Sequence, residues 1–210
     1  MLLTFDTSLD KTYIGLADGY KLLGTKVLEN QGSTYHSTYL MPSITEILKE
    51  NNLTPQDITA IATNVGPGSF TGIRACTTVV RVMAQQLDCK VLGVSSLEIL
   101  SRVKRTGKKP LVLLDARKNM TYVWDEEVLG AIAIDDVKEM VKADEYSVIC
   151  DDSMYKIFSE ITDDITSYTT LNANLAEILI RIVLERQNEL TADWRMLTPL
   201  YIQPPPVFGK

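Results

Sequence analysis

A nine-residue run with three glycines is the stretch of this sequence best suited to chemistry. Residues 66–74 read Gly-Pro-Gly-Ser-Phe-Thr-Gly-Ile-Arg, between an apolar, β-branched segment (58–65) and a segment with helical spacing (73–87). Glycine permits positive φ and close backbone approach, and proline fixes φ, so the run predicts a shaped turn from a strand into a helix. With Ser69 or Thr71 as N-cap, the first N–H groups of that helix can hold an anion or seat against another backbone segment. Both interpretations stay open, but a Walker A loop is excluded because no Gly-Lys-Ser/Thr follows the glycines.

Two aspartates could contribute carboxylates to a metal or phosphate site. Asp6 and Asp115 each follow a short apolar segment that reads as a strand, at 2–5 and at 111–114. A pair of carboxylates can hold a divalent cation, yet an aspartate at the end of a strand is also an ordinary turn residue. The structural interpretation of this pair is favoured over the catalytic one.

The other reactive side chains argue against a hydrolase. His36 is the single histidine, and the residue four positions later is Leu40, which is not a metal ligand. A lone histidine cannot assemble a multi-histidine metal site, and Ser69 or Thr71 would have no base nearby in the sequence. Three scattered cysteines without a Cys-x-x-Cys motif indicate buried, reduced thiols of a cytosolic protein. They are Cys76, Cys89 and Cys150.

Composition and charge are those of an ordinary globular protein. With 210 residues, 45% of them apolar and 23% charged, the chain can form one large domain or two small ones. A net charge of −6 argues against a surface devoted to nucleic acid, which needs clustered basic side chains. One basic cluster is interpreted as a solvated connector, with contact to RNA as the alternative. Its members are Arg102, Lys104, Arg105, Lys108 and Lys109.

The sequence contains no run of eighteen apolar residues, and its first residues do not resemble a signal peptide. These two features predict a cytoplasmic protein that does not insert into a membrane.

The order of predicted elements occurs twice along the chain. The first round has strands at 2–5, 12–17 and 20–29, a helix at 34–51, a strand at 58–65, a helix at 73–87 and a strand at 91–94. The second has strands at 111–114, 119–125 and 128–134, a helix at 135–143, a strand at 146–150 and a helix at 151–160. A long amphipathic helix follows within 172–190. We therefore predict two subdomains, 1–97 and 98–210, with the long helix in the second.

Such a duplicated α/β pattern with mixed sheets is the layout of the actin, sugar-kinase and Hsp70 superfamily, which has a ribonuclease H-like fold. In that superfamily an aspartate after the first strand of each half faces the nucleotide and its metal, and this predicts a nucleotide or phosphate site. The residues that would form it are Asp6, Thr7, Ser8, Gly66, Gly68, Ser69, Thr71 and Asp115. An ATP-using, kinase-like enzyme is therefore an alternative function, although Thr7-Ser8 stands where those kinases usually carry a glycine.

Six short segments, in the same order, resemble the TsaB family, also called YeaZ. The N-terminal three are Phe5-Asp6-Thr7-Ser8, then His36-Ser37-x-x-Leu40-Met41-Pro42, then the glycine-rich run 66–74. The other three are Gly93-Val94-Ser95-Ser96-Leu97, Asp115-Ala116-Arg117 and Pro199-Leu200-Tyr201. Together they span nearly the whole chain.

The resemblance implies a subunit without an active site of its own. Such a protein binds TsaD in a heterodimer, works with TsaE, and forms a homodimer when alone. The complex transfers threonylcarbamoyl to the adenosine beside the tRNA anticodon, so this chain would meet tRNA only through the complex. The resemblance implies no certain cofactor, and ATP or ADP with Mg²⁺ at the interface of the complex stays an open alternative.

The same resemblance implies which helices form the partner interface, namely the helix that carries His36 and the helix after the glycine-rich run. The interface residues would be Tyr35, His36, Tyr39, Leu40, Ile44, Arg74, Thr78 and Arg81. The chain departs from the family after Arg74, where bulky and β-branched residues replace the usual glycines and alanines. A glycoprotease-type metallopeptidase, the older interpretation of such proteins, is the remote alternative because the chain lacks a second histidine.

Overall fold

The computed structural model describes residues 1–29, 35–104, 107–142, 145–171 and 173–203, and it describes the backbone alone for residues 35–38. The chain forms two compact units. The first unit comprises Met1–Ile99 together with Asn174–Pro199, and the second comprises Leu100–Ala173 together with the chain from Leu200 onward. None of the helices in the described ranges has the length and apolar character needed to cross a membrane.

The first unit is built on a five-stranded mixed sheet with the order β3-β2-β1-β4-β5. Strand β1 pairs antiparallel with β2 and parallel with β4, and β5 continues the parallel part. The residues of β1 and β4 are buried, as expected for central strands covered by helices on both faces. The strands are β1 (Leu2–Asp6), β2 (Lys11–Asp18), β3 (Lys21–Glu29), β4 (Ala60–Gly66) and β5 (Lys90–Ser95).

Helices cover both faces of this sheet. Helix α1 (Tyr35–Glu50) contacts β2 and β3, and helix α2 (Phe70–Leu87) contacts β4, β1 and α1. The short helix α3 (Ser96–Ser101) follows β5. A Cβ atom on Gly24 would point to Ile47 of α1. A Cβ on Gly15 would instead point to a helix that follows the second unit in the sequence. This helix and α1 therefore lie on opposite faces of the first sheet.

The second unit repeats the first in reduced form. Its sheet has the order β10-β9-β6-β7-β8, with β6 antiparallel to β7 and parallel to β9. This is the strand order and direction of the first sheet, which confirms the predicted duplicated, actin-like α/β fold. The elements are β6 (Lys109–Asp115), β7 (Met120–Asp125), β8 (Glu127–Ala133), α4 (Ile134–Val141), β9 (Tyr146–Cys150), α5 (Asp152–Phe158) and β10 (Ile165–Ser167).

The last helix corrects the predicted organisation. The sequence assigned it to the second subdomain, but α6 (Leu175–Glu185) packs on strands β1 to β4 of the first sheet. Gly15 has no side chain beyond a hydrogen atom, and this leaves the space that α6 occupies. A Cβ atom at this position would lie only 2.8 Å from Cδ1 of Ile180. The apolar face of α6 therefore completes the core of the first unit. Its buried residues are Leu175, Ala176, Leu179, Ile180, Ile182 and Val183.

Candidate functional site

The glycine-rich turn is seated on the loop that follows β1. A Cβ atom on Gly68 would lie 2.6 Å from the carbonyl oxygen of Ser8, and one on Gly72 would lie 2.1 Å from that of Thr7. Gly66 has φ +107°, a conformation that L side chains rarely adopt. The glycines are therefore required for a close approach between two backbone segments, which is one of the two interpretations that the sequence allowed.

Hydrogen bonds hold these two segments together. The N–H of Ser69 donates to the carbonyl of Ser8 at 2.8 Å, and the hydroxyl of Thr7 donates to the carbonyl of Gly72 at 2.9 Å. The N–H of Thr7 donates to Sγ of Cys76 at 3.2 Å. Ser69 is the N-cap of α2, because its Oγ accepts from the N–H of Gly72 at 3.3 Å. The N–H groups of Ser69 and Gly72 thus already have protein acceptors.

Asp6 is the centre of the same network. Its Oδ1 accepts from the N–H and from the hydroxyl of Ser8, both at 2.7 Å, and its Oδ2 accepts from Nδ2 of Asn64 at 3.0 Å. The carboxyl group belongs to a residue that is 2% exposed, and this burial raises the pKa of Asp6. A carboxylate enclosed in this way, with both oxygens accepting from protein donors, does not fit a ligand of Mg²⁺ or of a nucleotide.

Asp115 belongs to the second unit and has a different environment. It is exposed, its Oδ1 accepts from the N–H of Arg117 at 2.7 Å, and its own N–H donates to Oδ2 of Asp151 at 2.6 Å. The hydrogen bond from the N–H of Arg117 to Asp115 is equivalent to the one from the N–H of Ser8 to Asp6, since each donor lies two residues after its aspartate. Both aspartates therefore close turns at the ends of equivalent strands. The first unit brings together Asp6, Thr7, Ser8, Gly66, Gly68 and Ser69, while Thr71 is exposed on the first turn of α2.

The predicted partner interface is only partly exposed. Leu40 and Ile44 are 2% and 1% exposed, so they belong to the core of the first unit and cannot contact a partner. Their positions in α1 face the sheet because apolar residues recur there at helical spacing. Tyr39 is 49% exposed on the other side of the helix. The side chains of Tyr35 and His36 lie outside the described part of the structure.

On α2, Arg74 and Thr78 are exposed and Arg81 is half-buried. The guanidinium carbon of Arg74 lies 4.0 Å from the ring centroid of Phe70, and that of Arg81 lies 5.2 Å from the ring of Trp194. Trp194 was not predicted as a site residue, because it lies 113 residues after Arg81 in the sequence. Its neighbour Arg195 also stacks on it, at 4.6 Å.

The thiols are buried and unreactive. Burial raises the pKa of Cys76 to about 12 and that of Cys150 to about 12, and it also raises the pKa of Cys89. Thiolate is the nucleophilic form, so none of these cysteines is prepared for catalysis. In the described ranges no three His, Cys, Asp or Glu side chains are grouped as metal ligands.

The basic cluster at 102–109 is paired with carboxylates. Lys104 and Lys108 lie 3.1 Å and 3.9 Å from Asp164, and Lys109 lies 2.8 Å from Asp125. These ion pairs reduce the positive potential that phosphate groups would require. Arg105 lies outside the described residues.

Comparison with known proteins agrees with this architecture. A family model described as TsaD, tRNA N6-adenosine threonylcarbamoyltransferase, matches residues 26–168. TsaB of Bacillus subtilis strain 168 is 35% identical over 88 residues, which cover 41% of this chain and 38% of that protein. TsaB of Haemophilus influenzae is 30% identical over 124 residues, which cover 58% of this chain and 51% of that protein. The chain therefore spans about half of the length of such curated relatives, or less.

Solved structures show the same fold. YeaZ from Pseudomonas aeruginosa is 21% identical and superposes with a TM-score of 0.69 over 95% of this chain and 98% of that chain. A crystal structure described as similar to peptidase YEAZ from the same organism is 23% identical, with a TM-score of 0.74 over 96% and 99% of the two chains. Because the family model matches well over half of the sequence and the curated relatives carry the name TsaB, this chain belongs to the TsaD family and, within it, to the TsaB (YeaZ) group.

Proposed function

We propose that this protein takes part in the biosynthesis of threonylcarbamoyladenosine in tRNA, in the cytoplasm, as a subunit that binds TsaD and TsaE. The family match over residues 26–168 carries this proposal, since it links the chain to threonylcarbamoyl transfer. In the proposed complex TsaD performs the transfer, and this chain meets tRNA only through its partners.

The geometry of the first unit supports a subunit without transfer chemistry of its own. The glycine-rich turn, which could have held phosphate, accommodates the backbone of Thr7 and Ser8 instead. The carboxylate of Asp6 accepts three hydrogen bonds from the protein and is enclosed. These two features favour an internal structural role over the kinase-like alternative.

The exposed sides of α1 and α2 support a role in partner binding. They carry Tyr39, Thr78, Val82 and the stacked pair of Phe70 with Arg74. Next to them, the half-buried Arg81 of α2 stacks on Trp194, which lies in a later segment of the chain. Exposed apolar, aromatic and arginine side chains together are typical of protein interfaces. We place the TsaD-binding surface there.

The test is complementation of a bacterial strain depleted of its own TsaB, with the modified nucleoside measured by mass spectrometry of digested tRNA. The wild-type chain, co-expressed with its cognate TsaD and TsaE, should restore threonylcarbamoyladenosine. Val82→Glu should reduce it at least tenfold, because it places a charge in the interface. The matched control is Leu129→Glu, which adds the same charge at an exposed apolar side chain of the second unit. Full modification by Val82→Glu combined with Thr78→Glu would refute the proposed surface.

A further inference from the structure

In the first unit, residues 189–198 cover the outer edge of the sheet. Strand β5 is the outermost strand there, and Val91 forms an antiparallel bridge with Thr191. The N–H of Val91 donates to the carbonyl of Thr191 at 2.8 Å, and the N–H of Thr191 donates to the carbonyl of Val91 at 3.1 Å. Three residues later, the ring of Trp194 lies 5.2 Å from the guanidinium carbon of Arg81. A backbone bridge and an aromatic side chain therefore connect this segment to β5 and to α2.

The second unit has an equivalent groove between α5 and β10. Strand β10 is the outermost strand of the second sheet, and it follows α5 as β5 follows α2. The groove contains a cavity of about 390 Å³, lined by β10 and by Asp152, Tyr155 and Lys156 on one face of α5. Tyr155 is 41% exposed. In the described part of the chain, the single isolated bridge is the one on β5, so no segment bridges β10 from outside.

The backbone of β10 offers the same kind of attachment point as β5. The carbonyl of Asp164 accepts from the N–H of Val148 in β9 at 2.8 Å. Because successive residues of a strand direct their backbone groups to opposite sides, Ile165 directs its N–H and carbonyl away from β9. Val91 has this orientation in the first sheet, since the N–H of Lys90 donates inward. Ile165 therefore corresponds to the residue that is bridged in the first unit, and such an edge is a template for another strand.

We propose that the groove between α5 and β10 binds an extended segment of a partner protein. The segment bridges Ile165 through its backbone and places an aromatic side chain in the cavity, beside Tyr155 and Lys156. The first unit shows the spacing, with the aromatic residue three positions after the bridging one. Strand addition at a sheet edge is a common mode of peptide recognition, and an ammonium group is attracted to an aromatic face.

A partner fits this groove better than a second copy does, because in each copy the segment with this spacing is already bound to β5. The inference goes beyond the proposed function, since it concerns the second unit and not the exposed sides of α1 and α2.

The first experiment uses a synthetic peptide with the sequence of residues 187–198, in which Thr191 and Trp194 have the required spacing. The peptide is titrated into the full chain and followed by NMR. The amide signals of Tyr155 and Ile165 should shift most, with a dissociation constant below about 1 mM. The same peptide with Trp194→Ala should bind at least about tenfold more weakly. No binding, or shifts confined to the surroundings of β5, would overturn the proposal.

Two variants of the full chain locate the bound peptide. Tyr155→Ala/Lys156→Ala should weaken binding at least about tenfold. The matched control is Tyr20→Ala/Lys21→Ala, which removes another exposed tyrosine and the lysine after it, in the first unit. Ile165→Pro removes an outward N–H and leaves the bonds to β9, so it should abolish binding. If Ile165→Pro does not fold, the alanine variant decides, and wild-type affinity of that variant contradicts the proposal.

Two further measurements identify the occupant. If the chain forms a homodimer in analytical ultracentrifugation that Tyr155→Ala/Lys156→Ala dissociates, the groove belongs to a second copy. If removal of residues 204–210, which lie outside the described residues, raises the affinity for the peptide about tenfold, the groove belongs to the chain itself. Either result overturns the assignment to a partner, whereas unchanged association and unchanged affinity support it. Neither result depends on binding to TsaD, so the proposed function is tested separately.

Discussion

At the scale of single residues, Asp6 combines burial with three accepted hydrogen bonds, and burial prevails in raising its pKa. A group with a raised folded pKa binds its proton more tightly in the native state. Stability from this group is therefore present below its ordinary pKa and declines as the pH rises through the raised value. Asp6 thus has a structural role with a measurable pH signature.

We expect the difference in free energy of unfolding between the wild type and Asp6→Asn to fall as the pH rises from 4 toward 8, because only the wild type titrates at this position. Urea denaturation at a series of pH values measures it. The matched control is Asp57→Asn, since hydrogen bonds from Thr54 lower the pKa of Asp57. The difference in free energy of unfolding between the wild type and Asp57→Asn should rise with pH in the acid range. If the difference in free energy of unfolding changed with pH in the same direction for Asp6→Asn and Asp57→Asn, the raised pKa of Asp6 would be contradicted.

Residue types in the sequence were sufficient to identify the turn, but not what the turn touches. The glycines and the proline predicted a shaped strand-to-helix turn with Ser69 or Thr71 as N-cap, and the structure shows that Ser69 is the N-cap. The sequence could not decide whether the glycine-rich turn contacts the backbone of Thr7-Ser8 or an anion. That contact depends on the parallel pairing of β1 with β4, which brings the loop after β1 and the glycine-rich turn after β4 to the same edge of the sheet. Trp194 was missed for a related reason, because no local pattern links it to Arg81.

At the scale of elements, the junction between β1 and α2 depends on a backbone contact that no side-chain rotation can relieve. A Cβ atom on Gly72 would lie 2.1 Å from the carbonyl oxygen of Thr7 and 2.9 Å from Cα of Ser8. Alanine is otherwise the better residue within a helix. A larger residue at Gly72 is therefore expected to destabilise the protein through this contact, although helix propensity alone would favour the replacement.

We expect Gly72→Ala to lower the free energy of unfolding by roughly 2–3 kcal/mol, in the range of overpacked sites. Chemical denaturation gives the value, with Gly107→Ala as control, because a Cβ at Gly107 meets no atom within 4 Å. The control should change stability by less than about 1 kcal/mol. Equal stability of Gly72→Ala and the wild type would show that the two loops separate without cost.

Element boundaries differed from the sequence-based ones where local signals were weak or misleading. Helix α2 begins at Phe70 and not near residue 73, since its first turn contains the residues that suggested a loop. Strand β10 was missed because three residues, Ile165–Ser167, are too few to show an alternating pattern. The duplication of the α/β fold was predictable because each round repeats a hairpin followed by helix and strand, and the two sheets have the same strand order.

At the scale of the whole molecule, the first unit is completed by residues that follow the second unit in the sequence. Helix α6 follows the second unit in sequence, yet its apolar side covers the first sheet. Amphipathic periodicity predicts that a helix has a buried face, but it does not specify which sheet receives it. The space at Gly15 was the available signal, and it is meaningful only once the register of β2 is known.

This arrangement makes the stability of the N-terminal sheet dependent on a residue near position 180. We expect Leu179→Ala, which removes a fully buried side chain, to cost about 2–5 kcal/mol. In hydrogen exchange followed by mass spectrometry, amides of β1, β2 and β4 should lose protection while those of β6 and β9 keep theirs. Met154→Ala, in the buried cluster of the second unit, should give the reverse pattern. Loss of protection in the second sheet alone after Leu179→Ala would mean that α6 supports the unit adjacent to it in sequence, so the two variants together decide which core contains this helix.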